Sequence, residues 1–501
     1  MTRSRRAMTS GVRVVTSAVG VAASGVRLAK SAVGVGTSRF RAGTSAARAL
    51  AMVGCVVAIA ACGGSSSGGN SSGGSSGGGS SSGGPAPAAY NGKAVTITFW
   101  NPFTGREEGV MNQVIAGFHK LYPKITVKSR GAISDNNIVA AIRGGNPPDL
   151  AMSNSADNLG EYCGTGAWIN LTPYIKRDHV NIDQLPAAVQ QYTEFNGDRC
   201  AVPDLADAYG LYYNKTLLAK AGISSPPKTF TELTQDAKKL TQFNSDGSIK
   251  VAGYVPTSTF YENAAAHYAP LWNAHWDING KSALGVDPHW AAYLRWDKQL
   301  TDFYGTSKLT RFLAKAGEEF SPANDFEAGK IAMEIDGEWR VQFIKSDGAK
   351  ISYATAPMPV DPAQPELYGG GYTTGNVLGI PKNAANPAAA WLLAKYLAFN
   401  EQAIAQFANG LGNVPTLTSA LSDPTLTSNP PFNTFLKIFG NPHTATDPIT
   451  AIGSANQTME GNWQQKWEAG SIPDSQLVAS LKNVDSQIDG QVANATAGQA
   501  P

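Results

Sequence analysis

Acidic residues are missing from the first 61 positions of this 501-residue chain, although it holds 38 in all. Nine basic residues occupy the same stretch, Arg3, Arg5, Arg6, Arg13, Arg27, Lys30, Arg39, Arg41 and Arg48. A segment of that charge stays on the cytoplasmic side while the apolar part behind it enters the membrane. A long hydrophobic run is missing too: the apolar stretch at 49–61 is short of the roughly 20 residues of a spanning helix and suits a removable signal segment. Histidine is scarce, six residues in no short metal-ligand spacing, and cysteine scarcer, four in all. No G-x-S-x-G elbow, phosphate-binding loop or nicotinamide fingerprint occurs in the body. These absences argue against a zinc or serine hydrolase and imply no metal and no cofactor. Without the nine leader cations, 31 basic residues face 38 acidic ones, a net charge of −7, so no basic face is available for nucleic acid.

What the leader does contain is Ile59-Ala60-Ala61-Cys62, which closes the apolar run. The pattern resembles the lipobox of bacterial lipoproteins and implies that residues 1–61 are removed and that Cys62 carries the lipid attachment; Cys55, which interrupts the apolar core, is the weaker candidate. Residues 63–84 are Gly and Ser with only Asn70 between them, so the span 62–92 reads as a flexible tether with a reach of about 25 Å. The expected location is the outer face of the cell membrane.

The remaining body of about 400 residues exceeds what one hydrophobic core serves, so two lobes are expected. Only Cys163 and Cys200 lie in it, and in an exported chain an isolated pair favours a disulfide over two buried thiols. Val95-Thr96-Ile97-Thr98-Phe99-Trp100 alternates as a strand does. Val110, Val114, Ile115, Phe118 and Leu121 then fall on one helical face, which Pro123 ends. Ile125 and Val127 mark a strand, 138–142 a short helix and Leu150-Ala151-Met152 a third strand. This βαβαβ opening implies an α/β protein with a mainly parallel sheet and ligand-binding loops at the carboxyl ends of its strands.

Residues 210–233, GLYYNKTLLAKAGISSPPKTFTEL, resemble the most recognisable stretch of the extracellular solute-binding proteins of ABC importers, the maltose-binding class. Asn146-Pro147-Pro148-Asp149-Leu150, Phe326 to Met333, Asp336-Gly337-Glu338-Trp339, Gly369-Gly370-Gly371-Tyr372 and Leu378-Gly379-Ile380-Pro381 match in the same order. The resemblance implies a two-lobed periplasmic-binding-protein fold of type II, with lobe 1 at 93–207 and 369–413 and lobe 2 at 208–368 and 414–498. Crossing segments are expected near 206–209, 357–368 and 413–418. It also implies a monomer that binds rather than transforms a solute, with an ABC permease as partner.

A sugar offers C–H faces and a rim of hydroxyls, so its cleft needs aromatic planes and hydrogen-bonding Asp, Asn or Arg. The candidate planes are Trp100, Tyr209, Tyr261, Trp272, Trp339 and Tyr372; the polar candidates are Asn101, Asn154, Asp157, Asp207, Glu262 and Arg340. By resemblance, Trp339 takes the place of a cleft-facing aromatic, Asp207 that of an acid before the first crossing and Tyr261 that of an aromatic ligand contact. A neutral sugar or oligosaccharide fits best, with a polyol phosphate or phosphodiester next and an amino compound third. A secreted glycosidase using two of Asp157, Asp207 and Glu262 is the enzymatic alternative.

Overall fold

Alternation in the first strand has a direct consequence: Ile97 and Phe99 are fully buried, while Thr96 faces solvent. The structure, a computed structural model, describes residues 86–499. The signal segment, Cys55 and Cys62 lie outside the described residues, as does most of the tether. Strands β1 (Val95–Trp100), β2 (Ile125–Arg130) and β3 (Leu150–Ser153) run parallel in the order β2-β1-β3. The helix Gly105–Leu121 covers them with Met111, Val114, Ile115 and Phe118; Leu121, expected on the same face, is instead 60% exposed at the helix end. Asp149 fastens this corner, since its carboxylate accepts the amide of Thr98 at 2.9 Å and that of Asn386 at 2.8 Å.

Strand β4 (Ala201–Asn214) is 14 residues long and changes partners half-way along a single sheet. After it come β5 (Gln242–Phe243), β6 (Ile249–Tyr254), the β7 (Asp277–Ile278) and β8 (Lys281–Ser282) hairpin, β9 (Ile331–Gly337), β10 (Tyr353–Ala356), β11 (Thr373–Gly379) and β12 (Val414–Pro415). The first half of β4 pairs with β11 and β12, its second half with β9 and β10, all antiparallel. The sheet is therefore mixed, parallel at β2-β1-β3 and β6-β9 and antiparallel around the long strand.

Two cores flank β4. One gathers β1, β3, β11 and the helices Pro387–Phe399 and Glu401–Leu411; the other gathers β6, β9 and the helices Phe230–Leu240, Pro288–Tyr304 and Leu477–Gln499. The first core also takes in Tyr212, Phe326, Val341, Phe432 and Phe435, so it continues beneath the far half of β4. Local signals hold in the second: Asn214 caps the helix Lys215–Lys220, and Thr229 and Glu232 form a reciprocal capping box. Cys163 and Cys200 are disulfide-bonded with their Cα atoms 5.6 Å apart, tying the helix Leu159–Gly164 to the start of β4. Among the described residues no helix is long and apolar enough to cross a membrane.

Candidate functional site

Asp207 and Tyr209 stand two residues apart on β4, hence on one face, where the strand passes from its first set of partners to its second. Asn413, just before β12, donates from Nδ2 to Asp207 Oδ1 at 3.2 Å and to Glu338 Oε1 at 2.8 Å. Glu338 Oε2 in turn accepts the Ala208 amide at 2.8 Å. Burial lifts Asp207 to about 7; the Asn413 hydrogen bond opposes the rise and nearby Asp157 adds to it. Burial, with Asp207 beside it, also holds Glu338 well above the usual carboxylate range.

Rings converge on this point. Tyr209 stacks on His267 with centroids 3.8 Å apart, meets Trp339 edge-on at 5.6 Å and lies 5.8 Å from Tyr372, which is 6.2 Å from Trp276. Trp339 is set by its own turn: the indole folds back over Gly337, where a β-carbon would run into the ring. This is the physical content of the Gly-x-Trp pattern. The Tyr372 hydroxyl donates to Asp447 Oδ1 at 2.7 Å, and Gln457 Nε2 donates to Asp447 Oδ2 at 2.8 Å. Burial, with Asp157 close by, lifts Asp447 to about 7, while burial lowers His267 to about 4 and leaves it neutral. Several polar atoms here are buried with no hydrogen bond of good geometry among the described residues: Asp157 Oδ1, Thr374 Oγ1 and the indole nitrogens of Trp339 and Trp276; Glu319 Oε1 has only the Arg340 guanidinium, 3.9 Å away.

Of the residues nominated from sequence, Asp157, Asp207, Tyr209, Trp339 and Tyr372 are thus brought together, with Glu262 alongside through His267. Asn154 follows β3, its side chain exposed and its carbonyl accepting from Asn376. Trp100 ends β1, with the Arg130 guanidinium 5.3 Å from its ring. Others are engaged elsewhere. Asn101 is fully buried, its side chain donating to Ser129 and accepting the Phe103 amide, so it shapes a loop. Trp272 stacks on Phe230 at 4.9 Å inside the second core. The Tyr261 hydroxyl donates to the Gly317 carbonyl and accepts from the Asp325 amide. Arg340 is fully buried and holds Asp336 at 2.7 Å and Glu327 at 3.3 Å. Trp276, His267, Asp447 and Thr374 escaped the sequence reading.

A family model described as bacterial extracellular solute-binding protein matches residues 113–434. The chain belongs to that family. Among sequence relatives, a maltotriose-binding protein of Pyrococcus abyssi is 22% identical over 341 residues, 67% of this chain and 69% of the relative. A maltooligosaccharide ABC transporter solute-binding lipoprotein of Streptococcus pneumoniae is 26% identical over 295 residues, 56% of this chain and 62% of the relative. A solved protein named CpMnBP1, with mannotriose bound, superposes with a TM-score of 0.69 at 25% identity, covering 78% of this chain and all of that one. The mixed sheet with flanking helices is that of the two-lobed type II fold, and the two sequence relatives are named as solute-binding rather than catalytic proteins.

Proposed function

We propose that this protein is an exported receptor that takes a sugar or oligosaccharide between two lobes and passes it, chemically unaltered, to the permease of an ABC importer. The moving bodies are 93–207 with 369–413 and 208–368 with 414–498, and the monomer is tethered by a lipid on Cys62. The observation that carries the reading is the cluster of Tyr209, Trp339, Tyr372 and Trp276, with buried indole N–H groups and carboxyls among them, at the strand shared by both cores. Ring faces suit sugar C–H surfaces, and the polar atoms suit hydroxyls. The sugar ligands named for the relatives point the same way.

Ligand contacts from both bodies favour closure only by the difference in affinity between closed and open forms. A phosphodiester guest has little support here, because Arg340 is already held by two acids. A thermal-shift screen of neutral mono- and oligosaccharides tests the proposal, since a ligand of the native state raises Tm. Product formation from any bound oligosaccharide, or no shift with any of them, would sink it. Lipid attachment is checked separately, by detergent-phase partition of the expressed chain against Cys62→Ser.

A further inference from the structure

The cleft holds more carboxyl groups than a neutral guest needs, and burial keeps them largely protonated. Asp157 acts electrostatically on both Asp207 and Asp447, and Asp207 on both Glu262 and Glu338. Glu262 continues the chain to Glu319 and Asp336. Asp135, which also acts on Asp157, accepts from the Tyr162 hydroxyl at 2.7 Å. Positive charge is sparse in this network: Arg340 is taken by Asp336 and Glu327, and His267 is neutral. Among the described residues no Lys or Arg pairs with Asp157, Asp207, Glu262, Glu338 or Asp447.

Hydrogen-bonding capacity is divided across the site. Thr374 is only 6% exposed and its hydroxyl lies within donating reach of the Asp157 carboxyl, which leaves the hydroxyl's lone pairs and Asp157 Oδ1 to accept from a guest. Side by side, these two oxygens match an ammonium group, which is all donor. The indole N–H groups of Trp339 and Trp276 are donors only and match hydroxyl or ring oxygens. The electron-rich ring faces accept sugar C–H groups and attract a cation as well.

Resting on the sugar-receptor reading, we propose that the guest is an amino sugar whose protonated amine lies against Asp157 and Thr374 while its ring stacks on the Tyr209, Trp339 and Tyr372 cluster. A bound cation favours the ionised form of neighbouring acids, so uptake at pH 7 displaces protons from the network. A neutral sugar has no such effect.

Titration calorimetry on the intact body compares matched pairs: glucosamine with glucose, galactosamine with galactose, and β-1,4-linked diglucosamine with cellobiose and with its N,N′-diacetyl form. The expected result is at least one pair in which the free amine binds tenfold or more tightly, with a heat that varies with buffer ionisation enthalpy and so reports proton release. Asp157→Asn is expected to bring the ratio of the two constants close to one. Neutral members binding as tightly as their amines in every pair, or amine binding without proton release, overturns this inference and leaves the sugar receptor standing. No binding by any sugar, charged or neutral, overturns both.

Discussion

The backbone carbonyl of Thr450 occupies the place where a β-carbon on Gly160 would stand. Next to it, Asn158 Oδ1 accepts from the Ser454 hydroxyl at 3.0 Å and from its amide at 3.4 Å. Gly160 belongs to the first proposed body and Thr450 to the second, so this contact forms where the two meet. Gly160→Ala is expected to weaken sugar binding tenfold or more without touching the guest, because the open form accepts a methyl group and the closed form does not. Calorimetry and small-angle scattering with and without ligand check this; unchanged affinity removes the contact from closure.

Trp339 and Gly337 act as a pair. Trp339→Ala removes the ring that meets Tyr209 edge-on, and a tenfold or larger loss of affinity is expected with the fold intact by circular dichroism. Gly337→Ala drives the indole out of place and is expected to cost a comparable loss while keeping the tryptophan. Full affinity in the second variant would show that the ring's position does not matter.

Stability should fall as pH rises from 6.5 to 8.5. Burial raises Asp207, Asp447 and Glu319 to about 7 and Glu460 to about 8, against about 4 in the unfolded chain. The folded state therefore holds more protons than the unfolded one up to those values, and the stability they contribute is complete below pH 4 and lost above 7 to 8. His267, lowered to about 4, works in the opposite direction only below about 6.5. Thermal melts at constant ionic strength give the sign, and a Tm that rises over this window contradicts it.

Removing the Cys163–Cys200 bond by a double serine substitution should cost about 3–4 kcal/mol in the chain-entropy model, for a separation of 37 residues. Urea titration measures it, with reduction of the unaltered protein as the parallel experiment.

Arg340→Met leaves Asp336 and Glu327 buried without their cation. A loss of about 3–5 kcal/mol is expected, since removing one partner of a buried ion pair strands the other. Restored stability in an Asp336→Asn, Arg340→Met double variant would show that the stranded charge is the cause.

The first βαβαβ unit was legible because each of its elements is a local pattern, alternation for a strand and one apolar face for a helix. The site was legible only where a motif carried it, as at Gly337 and Trp339. Trp272 and Trp276 look alike in sequence; the left-handed residue Asn273 between them sends one ring into the core and leaves the other beside Tyr372. Asp447 joins the cleft from the far end of the chain by a pairing of Tyr372 with Ala445, for which no nearby residue gives a signal. Arg340 gave no such signal either: Asp336 lies at the end of a strand and Arg340 opens a helix, and the turn at Gly337 to Trp339 between them folds the guanidinium back onto the acid. The mixed sheet was hidden because strand direction depends on partners more than a hundred residues away.

With the proposed bodies meeting along β4, Asp207 and Tyr209 are borne by the strand about which they would turn, so a guest would press on the axle itself and need no relay to announce its presence. Bulkier sugars should hold the jaws at wider angles in graded fashion, so that interdomain fluorescence transfer would sort a homologous oligosaccharide series by chain length.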